Sequence, residues 1–330
     1  MPRPELPVSA LPHGRLAPSP TGGLHVGHAR SFLLAWWSVR ARGGRITLRI
    51  EDLDAGRVKP GMTEACLADL RWLGLDWDGA PHVQSADTAP LAAAVAELER
   101  RGLLYPCVCT RRDLRESLSA PHAPDGAQGA GESAYPGTCR DRFASAAEAE
   151  ERTGRAPGLR LRVAPGVLAL EDALAGPFTS DVAREHGDFL VARRDGAFAY
   201  QLAVVVDDAR DGVNEVLRGD DLLSSCGRQA VLQEALDLPR PRWIHVPLVV
   251  DERGERLAKR SGALTLAALR EAGVDPRGLV AWVARSAGQE SPDRAHPRDL
   301  VAGFDLARLP LRPVRFGPRE LEQLRELRVG

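Results

Sequence analysis

One short segment near the amino end of the chain constrains its fold more than any other. Residues 16–28 read Leu-Ala-Pro-Ser-Pro-Thr-Gly-Gly-Leu-His-Val-Gly-His, a Pro- and Gly-rich turn that leads to His25 and His28. An amphipathic run follows and ends at Gly43, which predicts a helix that begins at the two histidines. Residues three apart share one helix face, and a helix start presents unpaired N–H groups and the positive end of the dipole. The segment therefore predicts a polyphosphate site, with an ordinary turn carrying two surface histidines as the alternative.

The basic residues supply a second clue, far along the chain. Of 44 Lys and Arg residues, only Lys59 and Lys259 are lysines. A lysine that persists where arginine takes almost every basic position suggests a need for a compact ammonium group, which a planar guanidinium does not replace. Lys259 lies in a polar, glycine-flanked loop, whereas Lys59 lies in a turn and is interpreted as a solvated surface charge. The same solvated-surface interpretation stays open for Lys259.

Together, the two segments resemble the paired ATP-binding elements of class I aminoacyl-tRNA synthetases. Residues 25–28 (His-Val-Gly-His) resemble the HIGH element, and residues 256–260 (Arg-Leu-Ala-Lys-Arg) resemble a degenerate KMSKS loop that keeps only its second lysine. The resemblance implies that the loop closes over the phosphates and that its lysine stabilises charge on the departing pyrophosphate. Mg²⁺ is expected to arrive with ATP, held mainly by phosphate oxygens and not by an all-protein site. The residues implied to bind ATP are His25, Gly27, His28 and Lys259, and all but Gly27 are expected to be catalytic.

Length, charge and cysteine count limit the class of protein. The 330 residues can form one large domain or two of ordinary size. The formal net charge of −1 excludes a global basic field, which leaves local patches for any nucleic acid. No apolar run reaches membrane-spanning length and no signal-peptide pattern opens the chain, so a cytoplasmic protein without a membrane partner is expected. Five cysteines argue against a disulfide framework, and Cys66 and Cys226 are interpreted as small core residues of helices, without partners.

The other three cysteines cluster with metal-ligand spacing. Cys107 and Cys109 are separated by one residue, and Cys139 follows after a segment rich in Ala, Gly, Pro and Ser. Such a set suits one tetrahedral Zn²⁺ in a structural role, bracing an insertion. Tyr135, four residues before Cys139, is the candidate fourth ligand, with His122 or water left open as alternatives. Ordinary thiols without a metal are the competing interpretation.

Alternating strand and helix patterns predict an α/β fold. The expected architecture is a Rossmann-type, doubly wound parallel sheet, in which ligands bind beyond the carboxyl ends of strands. The catalytic domain is predicted at 1–240, with the zinc-bearing insertion at 104–142. Residues 241–330 are expected to hold the KMSKS-like loop and a short helical region that contacts an RNA stem. The predicted strands lie at 14–17, 45–50, 158–163, 188–192 and 243–250, and the predicted helices at 61–73, 87–102, 264–273 and 276–287.

A glutamate substrate would need protein groups for two carboxylates and one ammonium. Arginine forks suit carboxylates, and an acidic side chain suits the ammonium. Four segments resemble, in chain order, the glutamate-binding elements of glutamyl-tRNA synthetases: 15–19, 49–52, 200–203 and 217–223. The resemblance would also start a helix at residue 200, where composition favours a strand over 200–208. The residues it implies to contact glutamate are Arg15, Leu16, Ala17, Pro18, Ser19, Glu51, Tyr200 and Arg218, and which arginine takes which carboxylate is left open.

The length of chain after Lys259 refines this expectation. About 70 residues follow, which is expected to be too short for the large anticodon-binding domain of a glutamyl-tRNA synthetase. The chain thus resembles the truncated paralogues of those enzymes, which attach glutamate to queuosine, the modified wobble base of tRNA-Asp. The resemblance implies that L-glutamate is activated with ATP, without tRNA, and then transferred to that base. A monomer is expected.

Three other functions are weighed against this one. A glutamyl-tRNA synthetase acting on tRNA-Glu is the nearest alternative. A nucleotidyltransferase of the wider HIGH superfamily would leave the set Arg15, Glu51, Tyr200 and Arg218 without a role. An RNA-binding module without catalysis would not need His25, His28 and Lys259 together.

Overall fold

Strands and helices alternate along most of the chain. The computed structural model describes residues 11–110, 112–114, 134–257 and 264–327. The strands are β1 (His13–Leu16), β2 (Arg45–Ile50), β3 (His82–Val83), β4 (Leu104–Cys107), β5 (Gly158–Leu161), β6 (Leu168–Asp172), β7 (Gly176–Ser180), β8 (Phe189–Ala192), β9 (Glu215–Gly219), β10 (Arg242–Val246), β11 (Val249–Val250) and β12 (Val314–Arg315). The helices are α1 (Val26–Arg40), α2 (Met62–Trp72), α3 (Ala89–Arg100), α4 (Ala146–Thr153), α5 (Val182–Glu185), α6 (Tyr200–Asp211), α7 (Ser225–Ala235), α8 (Leu266–Glu271), α9 (Pro276–Ser286) and α10 (Pro318–Glu326).

Two parallel ladders position the residues predicted to bind glutamate. β1 pairs with β2 and β2 with β3, both in parallel, and β9 pairs in parallel with β10. Asn214, just before β9, donates its backbone N–H to His13 O at 2.9 Å, so β1 and β9 are neighbours. Arg15, Glu51 and Arg218 lie at or next to the carboxyl ends of β1, β2 and β9. In parallel α/β sheets, this is the edge at which ligands bind.

Helix α1 packs the largest side chains of the core against these ladders. Trp36 and Trp37 are almost fully buried, and the helix contacts β1, β2 and β9. Gly43 ends the turn after it with a φ of +69°, a left-handed conformation that glycine adopts without strain. A Cβ on Gly44 would lie 2.1 Å from Pro12 O, so the chain passes here only without a side chain. The predicted end of this helix is therefore confirmed.

The strands in the middle of the chain pair antiparallel. The prediction of a mostly parallel sheet did not include these pairs. β4 pairs with β5 and β5 with β8, while β6 and β7 form a hairpin. A second hydrophobic cluster, which includes Leu161, Val191 and Leu202, joins this region to α3 and α6. The α/β class is confirmed, with parallel ladders at the predicted site and antiparallel strands beside them.

Two predicted strands differ from the structure. Residues 200–208 begin helix α6, so the strand favoured by composition is wrong and the helix implied by the family resemblance is confirmed. The helix is buried on several sides, and tertiary burial there outweighs the strand preference of a run of valines. The predicted strand 243–250 is broken at Pro247, because proline has no N–H to donate to a ladder.

One hydrophobic cluster crosses the predicted boundary at residue 240. It contains Leu33, Ile46, Ile244 and Leu279, and β9 and β10 also pair across the boundary. The division into 1–240 and 241–330, with an insertion at 104–142, stays a prediction. Among the helices that the structure describes, none has both the length and the apolar character needed to cross a lipid bilayer.

Candidate active site

The two histidines of the first motif form the cap of helix α1. His25 is the N-cap residue, and its Nδ1 accepts the N–H of Gly27 at 3.1 Å. The Nδ1 of His28 accepts the backbone N–H of His25 at 3.2 Å, and the two ring centroids lie 3.8 Å apart. Because each Nδ1 is an acceptor, a neutral ring carries its proton on Nε2, from which it can donate to a phosphate oxygen.

The chain is tightly packed where the histidines meet the following segment. A Cβ on Gly27 would lie 3.0 Å from Cε1 of His25, so a larger residue would displace that ring. Thr265 forms an antiparallel bridge with His25, which holds the chain after residue 263 beside the start of α1. Lys259 lies outside the described residues, so its expected role stays a prediction.

Four charged side chains form a cluster beside the ends of β1 and β2. Arg49 has no exposed surface and lies 2.7 Å from Asp208 Oδ1 and 3.3 Å from Glu51 Oε1. The Nε of Arg15 lies 3.6 Å from the same Asp208 oxygen. The backbone N–H of Glu51 donates to Pro18 O at 3.0 Å, which holds the segment 15–19 against Glu51. Because a buried charge needs a partner, Arg49 and Asp208 fix where Glu51 and Arg15 lie.

Burial and charge pairing shift the pKa values of this cluster. Burial raises the pKa of Glu51, against the opposing charges of Arg49 and Arg15. Burial lowers the pKa of Arg15, against the charge of Asp208. Burial has the same effect on Arg49, but Asp208 and Glu51 outweigh it and raise its pKa. The cluster presents a carboxyl group suited to a cation beside a guanidinium suited to an anion.

Arg218 reaches the same region from β9 with most of its guanidinium held in place. Its Nε donates to His245 Nε2 at 2.9 Å, and its Nη2 donates to Gln229 Oε1 at 2.9 Å. Its buried Nη1 has no hydrogen-bond partner among the residues that the structure describes. A buried donor of this kind is costly unless a ligand pairs with it, which favours a carboxylate at this position.

Tyr200 lies on the open side of the cluster. It is the first residue of α6 and is 41% exposed. Although the residue is partly exposed, desolvation among the surrounding side chains raises the pKa of its hydroxyl, with the charges of Arg218, Glu51 and Arg15 acting next. Four of the eight residues predicted to contact glutamate, Arg15, Glu51, Tyr200 and Arg218, therefore lie near one another, and their contact with glutamate stays a prediction.

The remaining predicted contacts differ in what they offer. The side chain of Leu16 is fully buried in the core, where it serves packing. Pro18 is also buried, Ala17 is half-buried, and Ser19 is exposed. A contribution of residues 16–18 to a ligand would therefore come from their backbone.

The sequence prediction missed a buried polar chain behind Arg218. His245 of β10 is held by Asp172 at the end of β6, with Nδ1 2.7 Å from Oδ2. The available signal was one histidine in the otherwise apolar run 243–250. Cys226 is buried in α7, as predicted for a small core residue, and its Sγ also accepts a hydrogen bond from Arg218 Nη2 at 3.4 Å.

The three clustered cysteines come together as predicted. The Sγ atoms of Cys107, Cys109 and Cys139 lie within 4.8 Å of one another, and those of Cys109 and Cys139 are 3.5 Å apart. The hydroxyl of Tyr135 lies 3.5 Å from Cys107 Sγ and 3.8 Å from Cys109 Sγ. Tetrahedral Zn²⁺ with Zn–S bonds of about 2.3 Å separates its ligands by about 3.8 Å. The four residues therefore fit zinc, and His122 lies outside the described residues.

Arg160 borders this cysteine cluster. Its Nε donates to Cys107 Sγ at 3.2 Å, and its guanidinium lies 3.6 Å from the centre of the Tyr135 ring. A hydrogen bond from Cys109, together with the charge of Arg160, lowers the pKa of Cys107. Burial and Cys107 raise the pKa of Tyr135, so phenolate ligation there would depend on the charge of a bound metal.

Comparison with known proteins identifies the class. The model of the family "tRNA synthetases class I (E and Q), catalytic domain" matches residues 13–296. A solved structure of a glutamate tRNA ligase from Elizabethkingia meningosepticum superposes with a TM-score of 0.80, at 22% identity, over 96% of this chain and 69% of that one. The chain belongs to the class I tRNA synthetases of this catalytic family.

Curated relatives define the family more narrowly. Proteins named Glutamyl-Q tRNA(Asp) synthetase from Nitratidesulfovibrio vulgaris, Symbiobacterium thermophilum and Nocardia farcinica are 46%, 47% and 49% identical to this chain. The matches cover 91%, 92% and 91% of this chain and 94%, 95% and 91% of the respective relatives. Within the class I synthetases, the chain is therefore a member of the glutamyl-Q tRNA(Asp) synthetase family.

Proposed function

We propose that this protein activates L-glutamate with ATP and transfers it to the queuosine base at the wobble position of tRNA-Asp. The observation that carries the proposal is the convergence of Arg15, Glu51, Tyr200 and Arg218 at the carboxyl ends of parallel strands and the start of α6. A glutamate needs this set, with two cationic groups for its carboxylates and an anionic group for its ammonium. Membership of the glutamyl-Q tRNA(Asp) synthetase family supports the acceptor.

The first step forms glutamyl-adenylate. The glutamate α-carboxylate attacks the α-phosphate of ATP, a carboxyl O–P bond forms, and the bond to the leaving pyrophosphate breaks. The Nε2–H groups of His25 and His28 donate hydrogen bonds to phosphate oxygens, and Lys259 neutralises charge on pyrophosphate. The ATP phosphates would hold Mg²⁺, which would neutralise part of their charge. Positioning and charge stabilisation supply most of the acceleration.

The second step needs no protein base. A hydroxyl of the queuosine cyclopentene ring attacks the carbonyl carbon of the adenylate. An ester bond forms, the acyl–phosphate bond breaks, and AMP leaves. The adenylate phosphate accepts the hydroxyl proton. No tRNA is required until this step.

The cysteine cluster holds one structural Zn²⁺ in this proposal. Cys107, Cys109, Tyr135 and Cys139 are its ligands, in keeping with their separations. The metal would brace the insertion 104–142 and would take no part in the chemistry. The rest of 1–240 forms the catalytic domain, and 241–330 contributes the loop of Lys259 and a short helical region that meets the RNA stem.

The decisive experiment compares acceptors. Labelled glutamate is incubated with the protein, ATP and either tRNA-Asp with queuosine, tRNA-Asp without it, or tRNA-Glu. Label should enter only the queuosine-bearing tRNA-Asp. Label at the acceptor end of tRNA-Glu would instead make the protein a compact glutamyl-tRNA synthetase, and formation of an adenylylated product without glutamate would indicate a different nucleotidyltransferase.

A further inference from the structure

A buried polar chain runs from Arg218 away from the cleft. Arg218 Nε donates to His245 Nε2 at 2.9 Å, and His245 Nδ1 lies 2.7 Å from Asp172 Oδ2. The side chains of His245 and Asp172 both have 0% exposure. Neither residue has a place in the chemistry described above, and neither comes from the segments that pointed to glutamate.

The charges of the three groups dictate where the protons lie. A guanidinium only donates, so His245 Nε2 must be an acceptor. The proton of the neutral ring therefore lies on Nδ1 and is donated to Asp172. That carboxylate is itself fixed, because Oδ1 accepts the backbone N–H groups of Leu174 at 3.0 Å and Ala175 at 2.8 Å. The imidazole is thus held in the one tautomer that can accept from Arg218.

The buried polar chain determines which edge of the Arg218 guanidinium can face a ligand. The Nε of Arg218 donates to His245 Nε2. Its Nη2 donates to Gln229 Oε1 at 2.9 Å and to Cys226 Sγ at 3.4 Å. Within the described parts of the chain, the buried Nη1 has no hydrogen-bond partner. A side chain held from behind by two acceptors loses little further freedom when a carboxylate binds in front.

We propose that Asp172 and His245 are positioning residues that orient Arg218 toward a substrate carboxylate. The inference rests on the proposed function, because it requires Arg218 to bind glutamate. An Arg218 side chain that is no longer held in one orientation should bind glutamate more weakly. ATP binding and the geometry of attack at the α-phosphate depend on other groups. The KM for glutamate should therefore change far more than the KM for ATP or kcat.

The test is ATP–pyrophosphate exchange with four variants of the full chain. His245→Phe removes the acceptor, His245→Gln keeps one within reach of Arg218, and Asp172→Asn permits the tautomer that places a proton against Arg218. His13→Gln is the matched control, since His13 lies at the amino end of β1 and its Nε2 bonds to Thr47 Oγ1 at 2.8 Å. The midpoint of thermal unfolding is recorded for each.

The expected pattern separates positioning from loss of fold. His245→Phe and Asp172→Asn should raise the KM for glutamate about tenfold or more, with the KM for ATP and kcat within about threefold. His245→Gln should recover most of the loss, and His13→Gln should behave as the unaltered protein. If His245→Phe does not fold, the KM values of Asp172→Asn and His245→Gln are compared instead, and they test the same inference.

Three results would overturn the inference. An unchanged KM for glutamate in His245→Phe or in Asp172→Asn would show that Arg218 needs no support. Equal losses in both KM values and kcat, with no recovery in His245→Gln, would show a role in folding only. An unaltered protein that gives no glutamate-dependent exchange would overturn the proposed function and this inference with it, whereas normal exchange with unaffected variants would overturn the inference alone.

Discussion

At the scale of single residues, the site depends on groups whose neighbours set their state. His25 and His28 would be ordinary surface residues if their Nδ1 atoms did not accept backbone N–H groups at the start of α1. Glu51 and Arg15 would each be costly to bury alone, and Arg49 with Asp208 compensates both. Residue identity supplies the chemistry, and these contacts supply its orientation.

Replacement of either His28 or Lys259, the two groups proposed to contact phosphate, should strongly slow glutamate activation. His28→Ala and Lys259→Ala should each lower the rate of ATP–pyrophosphate exchange by about 10² or more, because preorganised donors to a developing charge are lost. Lys59→Ala is the matched control, since Lys59 is the other lysine of the chain and is exposed. Circular dichroism should report an unchanged fold. Near-normal exchange in either variant would remove that residue from the phosphate site.

At the scale of elements, burial within a helix contact creates a pH dependence. Asp69 of α2 is 1% exposed and pairs with Arg270 of α8 at 3.1 Å. Burial nevertheless raises its pKa from 3.8 to about 6. The folded state therefore binds a proton more tightly than the unfolded state, and the free energy of unfolding falls as pH rises through this range.

Asp69→Asn should remove that dependence. Between pH 5 and pH 7, the free energy of unfolding should fall by about 1 kcal/mol more in the unaltered protein than in the variant. Urea denaturation at pH 5, 6 and 7 measures the difference, and Glu99→Gln, at an exposed position of α3, is the control. Parallel pH profiles for the unaltered protein and Asp69→Asn would contradict the assignment.

The geometry of the cysteine cluster predicts that the protein binds one zinc ion there. The purified protein should contain one Zn²⁺, and Cys139→Ser should lose it because a tetrahedral site needs its thiolates. Tyr135→Phe should weaken zinc binding by at least about tenfold. Elemental analysis and competition with a chelator provide the measurements. Cys66→Ser should keep the metal, since Cys66 lies buried in α2, and metal retained in Cys139→Ser would exclude the site.

At the scale of the whole molecule, activation and transfer should be separable. All the groups assigned to the first step belong to this chain, so glutamate-dependent ATP–pyrophosphate exchange should proceed at full rate in the absence of any tRNA. The rate is measured with and without bulk tRNA, and with glutamine replacing glutamate as the control for amino acid recognition. Exchange that appears only on addition of tRNA would contradict a site that is complete without it.

Local sequence patterns determined the parts of this protein that depend on near neighbours along the chain. Examples are the Gly- and His-rich turn, the helix stop at Gly43 and the alternating side chains of 45–50. They reflect a helix cap, a turn and a pleated strand, each of which depends on residues close in sequence. The four segments that resemble glutamate-binding elements were sufficient to predict that Arg15, Glu51, Tyr200 and Arg218 share one site.

Tertiary structure decided what depends on burial and on contacts between distant segments. It made a helix of the valine-rich run after Tyr200, paired the middle strands antiparallel, and placed His245 and Asp172 behind Arg218. None of these has a local cause, because the free energy of burying a side chain or a charge depends on every segment that surrounds it. The sequence by itself therefore predicted which groups would carry the chemistry, and only the folded chain decided which groups hold them in position.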